Sequence, residues 1–98
     1  MSREELIYIL QSELKDLPVL KAYLFGSYAR GEADAKSDID LLVDLDKGVT
    51  LFGMLTIQET LEKSIHKKVD VISSNGISQH VQPFIEKDKL LIYERNNG

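Results

Sequence analysis

The chain has 98 residues, of which 43% are hydrophobic; this length allows one small core, so we expect residues 1–98 to form a single domain. It contains no cysteine, which excludes disulfides, thiolate catalysis and cysteine-based metal sites, and its formal net charge of -4 without a long basic run argues against nucleic-acid binding. No apolar run has the length of a signal peptide or a membrane span, so we expect a cytoplasmic protein without membrane contact.

The first predicted element is an amphipathic helix. Ser2 and Glu5 have the spacing of a capping box, which satisfies backbone N–H groups at a helix start. Apolar residues then recur with helical period: Leu6, Ile7, Leu10, Leu14 and Leu17. Pro18 helps to end this helix because proline lacks the N–H that a helix interior needs.

A strand and a candidate phosphate-binding turn follow. The apolar run 19–25 ends at Gly26, which predicts a buried strand, a tight turn and a short helix after Ser27. Backbone N–H groups in such a turn and the hydroxyl of Ser27 can reach a phosphate, and the N-terminus of the next helix adds a positive dipole. Alternatively, Gly26 is an ordinary turn residue and Ser27 only a helix N-cap.

The next predicted strand carries acidic residues on one face. Ile39, Leu41, Val43 and Leu45 alternate with Asp38, Asp40, Leu42 and Asp44. Asp38 and Asp40 point the same way with Cα atoms about 6.5 Å apart, close enough to bind one magnesium ion or a closely spaced pair. Asp44 lies too far along the strand for the same metal. The alternative is a solvated acidic strand edge that resists aggregation.

The second half of the chain predicts two further helices and two further strands. Thr50 is a candidate N-cap for a helix whose apolar residues Leu51, Met54, Leu55, Leu61 and Ile65 should cover the sheet. Residues 68–73 read as a third strand, 78–87 as a short helix and 90–93 as a last strand. The order of elements predicts an α/β or α+β fold, a small sheet with helices packed on it, and leaves the strand order open.

Asp70 interrupts the apolar run of the third strand. An aspartate there is costly if it is buried and unpaired, and a metal shared with Asp38 and Asp40 would explain it. The alternative is a surface acid at a strand edge.

Other polar and aromatic residues carry weaker signals. Arg30 can contact a phosphate at the turn with its planar guanidinium, or it can be a surface residue that pairs within its helix. We interpret Tyr23, Phe25, Phe52, Phe84 and Tyr93 as packing residues. Tyr28 lies beside Ser27, a place that can expose it near a ligand bound at the turn. We expect His66, His80, Lys67 and Lys68 to be solvated residues of helix ends and turns.

One pattern joins these candidates. Gly-Ser-Tyr-Ala-Arg-Gly at 26–31, followed by Ser-Asp-Ile-Asp-Leu at 37–41, resembles the signature of the polymerase-β-like nucleotidyltransferase superfamily, which is Gly-Ser, ten residues and Asp-x-Asp. The chain is most similar to the minimal nucleotidyltransferase (MNT) branch. The resemblance extends to Val-Asp-Val at 69–71 and Leu-Ile-Tyr-Glu at 91–94.

The resemblance implies a nucleotidyltransferase fold with a mixed β-sheet. It implies Asp38 and Asp40 as magnesium ligands, Asp70 as the third catalytic carboxylate and metal ligand, and two magnesium ions. Gly26 and Ser27, with Arg30 close by, would hold the triphosphate of ATP. The implied activity is metal-dependent transfer of a nucleoside monophosphate, AMP, to a hydroxyl acceptor.

The resemblance also implies a partner. Minimal members are often paired with a HEPN toxin and act as antitoxins by adding AMP to a tyrosine of that toxin, so we expect a HEPN-type partner in a homo- or hetero-oligomer. Two alternatives stay open: a small-molecule, aminoglycoside-type nucleotidyltransferase, and a non-catalytic module that binds a toxin.

Overall fold

The computed structural model describes residues 1–76 and 82–95. The helices are α1 (Arg3–Leu14), α2 (Ser27–Arg30), α3 (Leu51–Ile65) and α4 (Gln82–Asp88), and the strands are β1 (Val19–Phe25), β2 (Ile39–Leu45), β3 (Val69–Ser73) and β4 (Leu90–Glu94). One turn of 3-10 helix, Ser74–Gly76, follows β3. The predicted elements are therefore confirmed, with boundaries that shift by a few residues; the start of the predicted helix 78–87 lies outside the described residues.

The four strands form one sheet in the order β3-β2-β1-β4. β1 pairs with β2 and β4 in antiparallel orientation, whereas β2 pairs with β3 in parallel. The parallel pair requires a crossover connection, and α3 provides it. The predicted α/β (α+β) class, a small mixed β-sheet with helices packed on it, is confirmed.

Two predicted N-caps are present. The Glu5 N–H donates to Ser2 Oγ at 3.1 Å and the Ser2 N–H donates to Glu5 Oε1 at 3.4 Å, which completes the capping box of α1. The Gly53 N–H donates to the hydroxyl of Thr50 at 3.4 Å, which caps α3. The helix α1 ends at Leu14, so Pro18 follows the helix end by several residues rather than forming it.

The main core lies between one face of the sheet and the helices α1 and α3. Its buried side chains include Leu6, Leu10 and Leu14 of α1, Ala22 and Leu24 of β1, Ile39, Leu41 and Val43 of β2, and Ile57, Leu61 and Ile65 of α3. Each helix therefore buries one stripe of apolar residues, as its helical period requires.

The first turns of α3 differ from the prediction. Leu51, Phe52 and Leu55 are 81%, 83% and 51% exposed, so they do not cover the sheet, and Phe52 is not a packing residue. At 100° per residue, Phe52 lies on the side of α3 opposite the buried stripe of Ile57 and Leu61. Because most residues at the start of α3 are apolar, the sequence pattern did not distinguish those that face the core from those that face solvent.

Tyr28 also differs from the prediction. Its side chain is only 7% exposed and belongs to the main core, so its place beside Ser27 does not expose it. Among the described helices, none has the length and apolar character needed to cross a bilayer.

Candidate functional site

The second face of the sheet brings the three predicted carboxylates to one end. Asp40 lies directly opposite Asp70 of β3 and directly opposite Phe25, the last residue of β1. Residues that pair across strands share a face, and Asp38 lies two residues before Asp40 on that face, immediately before β2 begins. The parallel pairing of β2 with β3 thus unites residues that are 30 positions apart in the chain.

Gly26 joins this group through its backbone. It has φ 73° and ψ -153°, a combination that only glycine adopts readily, and it is the N-cap of α2. A Cβ atom at this position would overlap Oδ2 of Asp40. The turn therefore needs glycine both for its conformation and for its close approach to a carboxylate, which an ordinary turn does not require.

Ser27 is the first residue of α2, not its N-cap as the alternative prediction had it. It is half-buried, and its carbonyl oxygen accepts the Glu32 N–H at 2.8 Å. The Arg30 N–H donates to the carbonyl of Gly26 at 3.1 Å, which closes the single turn of α2. Gly26 and Ser27 thus connect the end of β1 to the start of α2, beside Asp40.

The surroundings of Asp40 disfavour the charged form of its carboxyl group. Burial raises its pKa, and the neighbouring charges of Asp70 and Asp38 raise it further, whereas Arg30 acts in the opposite direction. A half-buried carboxylate beside two others binds a proton or a cation more readily than an isolated one. The oxygen-only donor set fits a hard divalent cation such as magnesium.

The side chains of Asp38, Asp40 and Asp70 are not arranged as a set of metal ligands. Within residues 1–76 and 82–95, no three His, Asp or Glu side chains converge into a metal-binding group. The backbone register places the three carboxylates at the same end of the sheet, and a cation bound by all of them would require their side chains to rotate.

The raised pKa of Asp40 predicts a stability effect that depends on pH. Because the folded state holds the proton more tightly than the unfolded state, stability is lost as pH rises through the folded pKa, and wild type is destabilised at neutral pH. We expect Asp40→Asn to melt above wild type at pH 7, with the difference shrinking as pH falls toward the unfolded pKa of an aspartate. Thermal melts from pH 3 to 7 measure this; a gap that widens on acidification would contradict it.

Asp70 is at the predicted position but in a different environment. Its side chain is 43% exposed on the edge strand β3, and Lys68 Nζ lies 4.0 Å from its Oδ1. An exposed pair at this distance contributes little to stability. The Asp70 side chain is only partly buried, so burial alone gives little reason for a bound metal, and its place opposite Asp40 is what connects it to the candidate site.

Arg30 is near Asp40 but already has two carboxylate partners. Its Nη1 donates to Asp88 Oδ2 at 2.9 Å, and its Nε donates to Glu32 Oε2 at 3.1 Å. These hydrogen bonds, that to Asp88 first, raise the pKa of Arg30. A phosphate contact by Arg30 would have to compete with both carboxylates, and the sequence offered no local signal for Asp88, which lies 58 positions away.

The remaining candidates lie elsewhere. Asp44 is opposite Lys21 on the same face, four residues beyond Asp40, as expected for a residue outside the metal site. His66 is exposed and ends α3, in agreement with a helix-end role. His80 and the side chain of Phe84 lie outside the described residues.

Known proteins are similar to this chain in sequence. A candidate protein adenylyltransferase of Methanocaldococcus jannaschii is 43% identical over 84 residues, which are 82% of this chain and 82% of that protein. The protein adenylyltransferase MntA of Thermococcus cleftensis is 28% identical over 96 residues, 94% of this chain and 97% of its own.

Solved structures agree. A structure described as a minimal nucleotidyltransferase superposes with a TM-score of 0.76 at 29% identity and covers 92% of this chain and 95% of its own. A tri-AMPylated HEPN toxin in complex with an MNT antitoxin, from Shewanella oneidensis, gives a TM-score of 0.64 at 17% identity, covers 95% of this chain and 70% of that one, and shows the shared fold. The family model for polymerase beta nucleotidyltransferases matches residues 4–98. The chain therefore belongs to the polymerase beta nucleotidyltransferase family and is a nucleotidyltransferase.

Proposed function

We propose that this nucleotidyltransferase is a protein adenylyltransferase that moves AMP from ATP to a hydroxyl group, a tyrosine, of a HEPN-type toxin. One observation carries the proposal: Asp40 lies opposite Asp70 and against the backbone of Gly26, so that carboxylates and the glycine turn meet at one end of the sheet. Support for the acceptor comes from the MntA relative and from the AMPylated toxin in the S. oneidensis complex.

In the proposed site, each residue has a separate task. Gly26 and Ser27 hold the triphosphate through the N–H groups and the hydroxyl of the turn. Asp38, Asp40 and Asp70 would hold magnesium, which supplies neutralisation of the triphosphate charge when it is bound. Asp40, which lies against the turn, keeps the metal and phosphate subsites adjacent.

The reaction exchanges the phosphoanhydride bond between the α- and β-phosphates of ATP for a phosphoester bond to the acceptor oxygen. The acceptor oxygen forms a bond to the α-phosphorus, the bond from that phosphorus to the bridging oxygen breaks, and pyrophosphate leaves. Asp70, whose side chain is 43% exposed and which pairs with Asp40, accepts the proton of the acceptor hydroxyl in this proposal. Its edge position leaves room for an acceptor that arrives from outside the chain.

The direct test uses the partner that the chain would modify. The purified chain is incubated with α-labelled ATP, magnesium and the product of the neighbouring gene, and both proteins are analysed by intact mass and peptide mapping. We expect the mass of one or more AMP groups on a tyrosine of the partner. Label on a small molecule, or neutralisation of the toxin that survives Asp40→Asn without any label, would contradict the proposal.

A further inference from the structure

Lys67 lies in the short connection between α3 and β3, and its ammonium faces the loop that leads to Asp38. Its Nζ donates to the carbonyl oxygen of Ala35 at 2.9 Å and makes a longer contact, 3.5 Å, to the carbonyl oxygen of Ser37. The same Nζ lies 5.9 Å from the centroid of the Tyr28 ring. This lysine was predicted to be a solvated helix-end residue; it does lie directly after α3, but it is partly buried and bonded to the loop.

Asp38 depends on this loop for its position. Asp40 is held by strand pairing on both sides, to Phe25 and to Asp70, whereas Asp38 precedes β2 and is exposed. The Ser37 carbonyl belongs to the same peptide group as the Asp38 nitrogen. A donor that holds this carbonyl therefore orients the peptide plane from which the Asp38 side chain departs.

The segment from which Lys67 extends is itself held at both ends. His66 adopts φ 61°, in the left-handed region, and its N–H donates to the carbonyl of Glu62 at 2.8 Å. The carboxylate of Glu62 accepts the Val69 N–H at 2.9 Å, at the start of the strand that carries Asp70. Lys67 thus joins a well-anchored connection to the loop before Asp38.

The chemistry of these contacts suits a positioning role. Within the described residues, Lys67 has no carboxylate at ion-pair distance. Its acceptors are neutral carbonyl oxygens and an aromatic ring, so the ammonium fixes the loop without neutralising Asp38, Asp40 or Asp70.

We propose that Lys67 is a positioning residue that sets Asp38 relative to Asp40 and Asp70 for binding a divalent cation. The proposal rests on the proposed function of those three carboxylates. It predicts that the loop and the cation affinity change together when the ammonium is removed, and that another donor of similar reach restores both.

The test compares Lys67→Met, Lys67→Arg and Lys47→Met with wild type. Methionine keeps the length of the stem but has no donor, arginine keeps the charge, and Lys47 is an exposed lysine in the turn before α3. The probes are Mn²⁺ alone, titrated and followed by electron paramagnetic resonance, and amide hydrogen exchange of residues 33–39 without metal. We expect Lys67→Met to weaken Mn²⁺ binding about tenfold or more and to speed exchange in the loop, Lys67→Arg to recover most of both, and Lys47→Met to match wild type.

The outcomes separate the two proposals. If Lys67→Met exchanges faster and melts at a lower temperature but binds Mn²⁺ with unchanged affinity, the contact is purely structural and the positioning role is overturned. Unchanged exchange in Lys67→Met would overturn it as well. If wild type binds Mn²⁺ and modifies its partner while Lys67→Met does both equally well, the positioning role fails and the proposed function stands. If wild type binds no Mn²⁺, the metal site and the positioning role fail together.

Discussion

Asp40→Asn is expected to lower the rate of AMP transfer by about a thousandfold, which corresponds to roughly 4 kcal/mol of transition-state stabilisation. The amide keeps the size of the side chain but removes the charge that would bind the cation between Asp38 and Asp70. Since the pKa of Asp40 is raised by burial and by those neighbours, the fold should tolerate the change. Rates are measured with α-labelled ATP and the HEPN partner, alongside a melting curve that reports folding.

The matched control for Asp40→Asn is Asp44→Asn. Asp44 lies on the same strand and the same face, opposite Lys21, but four residues away from Asp40. We expect this variant to transfer AMP at close to the wild-type rate. Equal losses in the two variants would indicate that the general negative charge of this face matters, rather than a specific ligand at Asp40.

Gly26→Ala is expected to abolish AMP transfer and to destabilise the fold. The backbone at Gly26 lies in a region nearly closed to other residues, which costs about 1–3 kcal/mol. The new methyl group would also overlap Oδ2 of Asp40, so the carboxylate or the turn has to move. The measurements are the melting temperature and the apparent affinity for ATP in the presence of magnesium.

Gly48→Ala isolates the backbone part of this effect. Gly48 also has positive φ, 83°, but no atom lies within 4 Å of a Cβ built there. We expect a stability loss of about 1–2 kcal/mol, as for a left-handed alanine, with ATP affinity and AMP transfer preserved. If Gly26→Ala loses stability but keeps ATP affinity and AMP transfer, as expected for Gly48→Ala, the contact between the turn and Asp40 is not needed for activity.

Much of this protein follows from short stretches of its sequence. The capping box of Ser2 and Glu5, the N-cap at Thr50 and the alternation along β2 are local patterns, and each predicted an element that the structure contains. The spacing of Gly-Ser and Asp-x-Asp pointed to the family in the same way. Such patterns predict structure reliably because they depend on residues only a few positions apart, for which backbone geometry allows few conformations.

Local patterns misled where the surroundings come from distant parts of the chain. Leu51 and Phe52 are apolar in a helical segment, yet they are exposed because the sheet meets only the stripe that contains Ile57 and Leu61. Tyr28 is buried although it follows a polar turn. Asp70 is only partly buried because β3 is an edge strand, which the sequence left undetermined.

The helices and strands, the family and the two motifs Gly-Ser and Asp-x-Asp could be read from the sequence, because they depend on residue types and spacings within short stretches of chain. The fold was needed to show that β3 lies parallel to β2 with Asp70 opposite Asp40, that Arg30 is engaged by Asp88, and that Lys67 donates to the loop before Asp38. These contacts join residues about 30 to 58 positions apart, and they form only when the whole chain buries its apolar residues together.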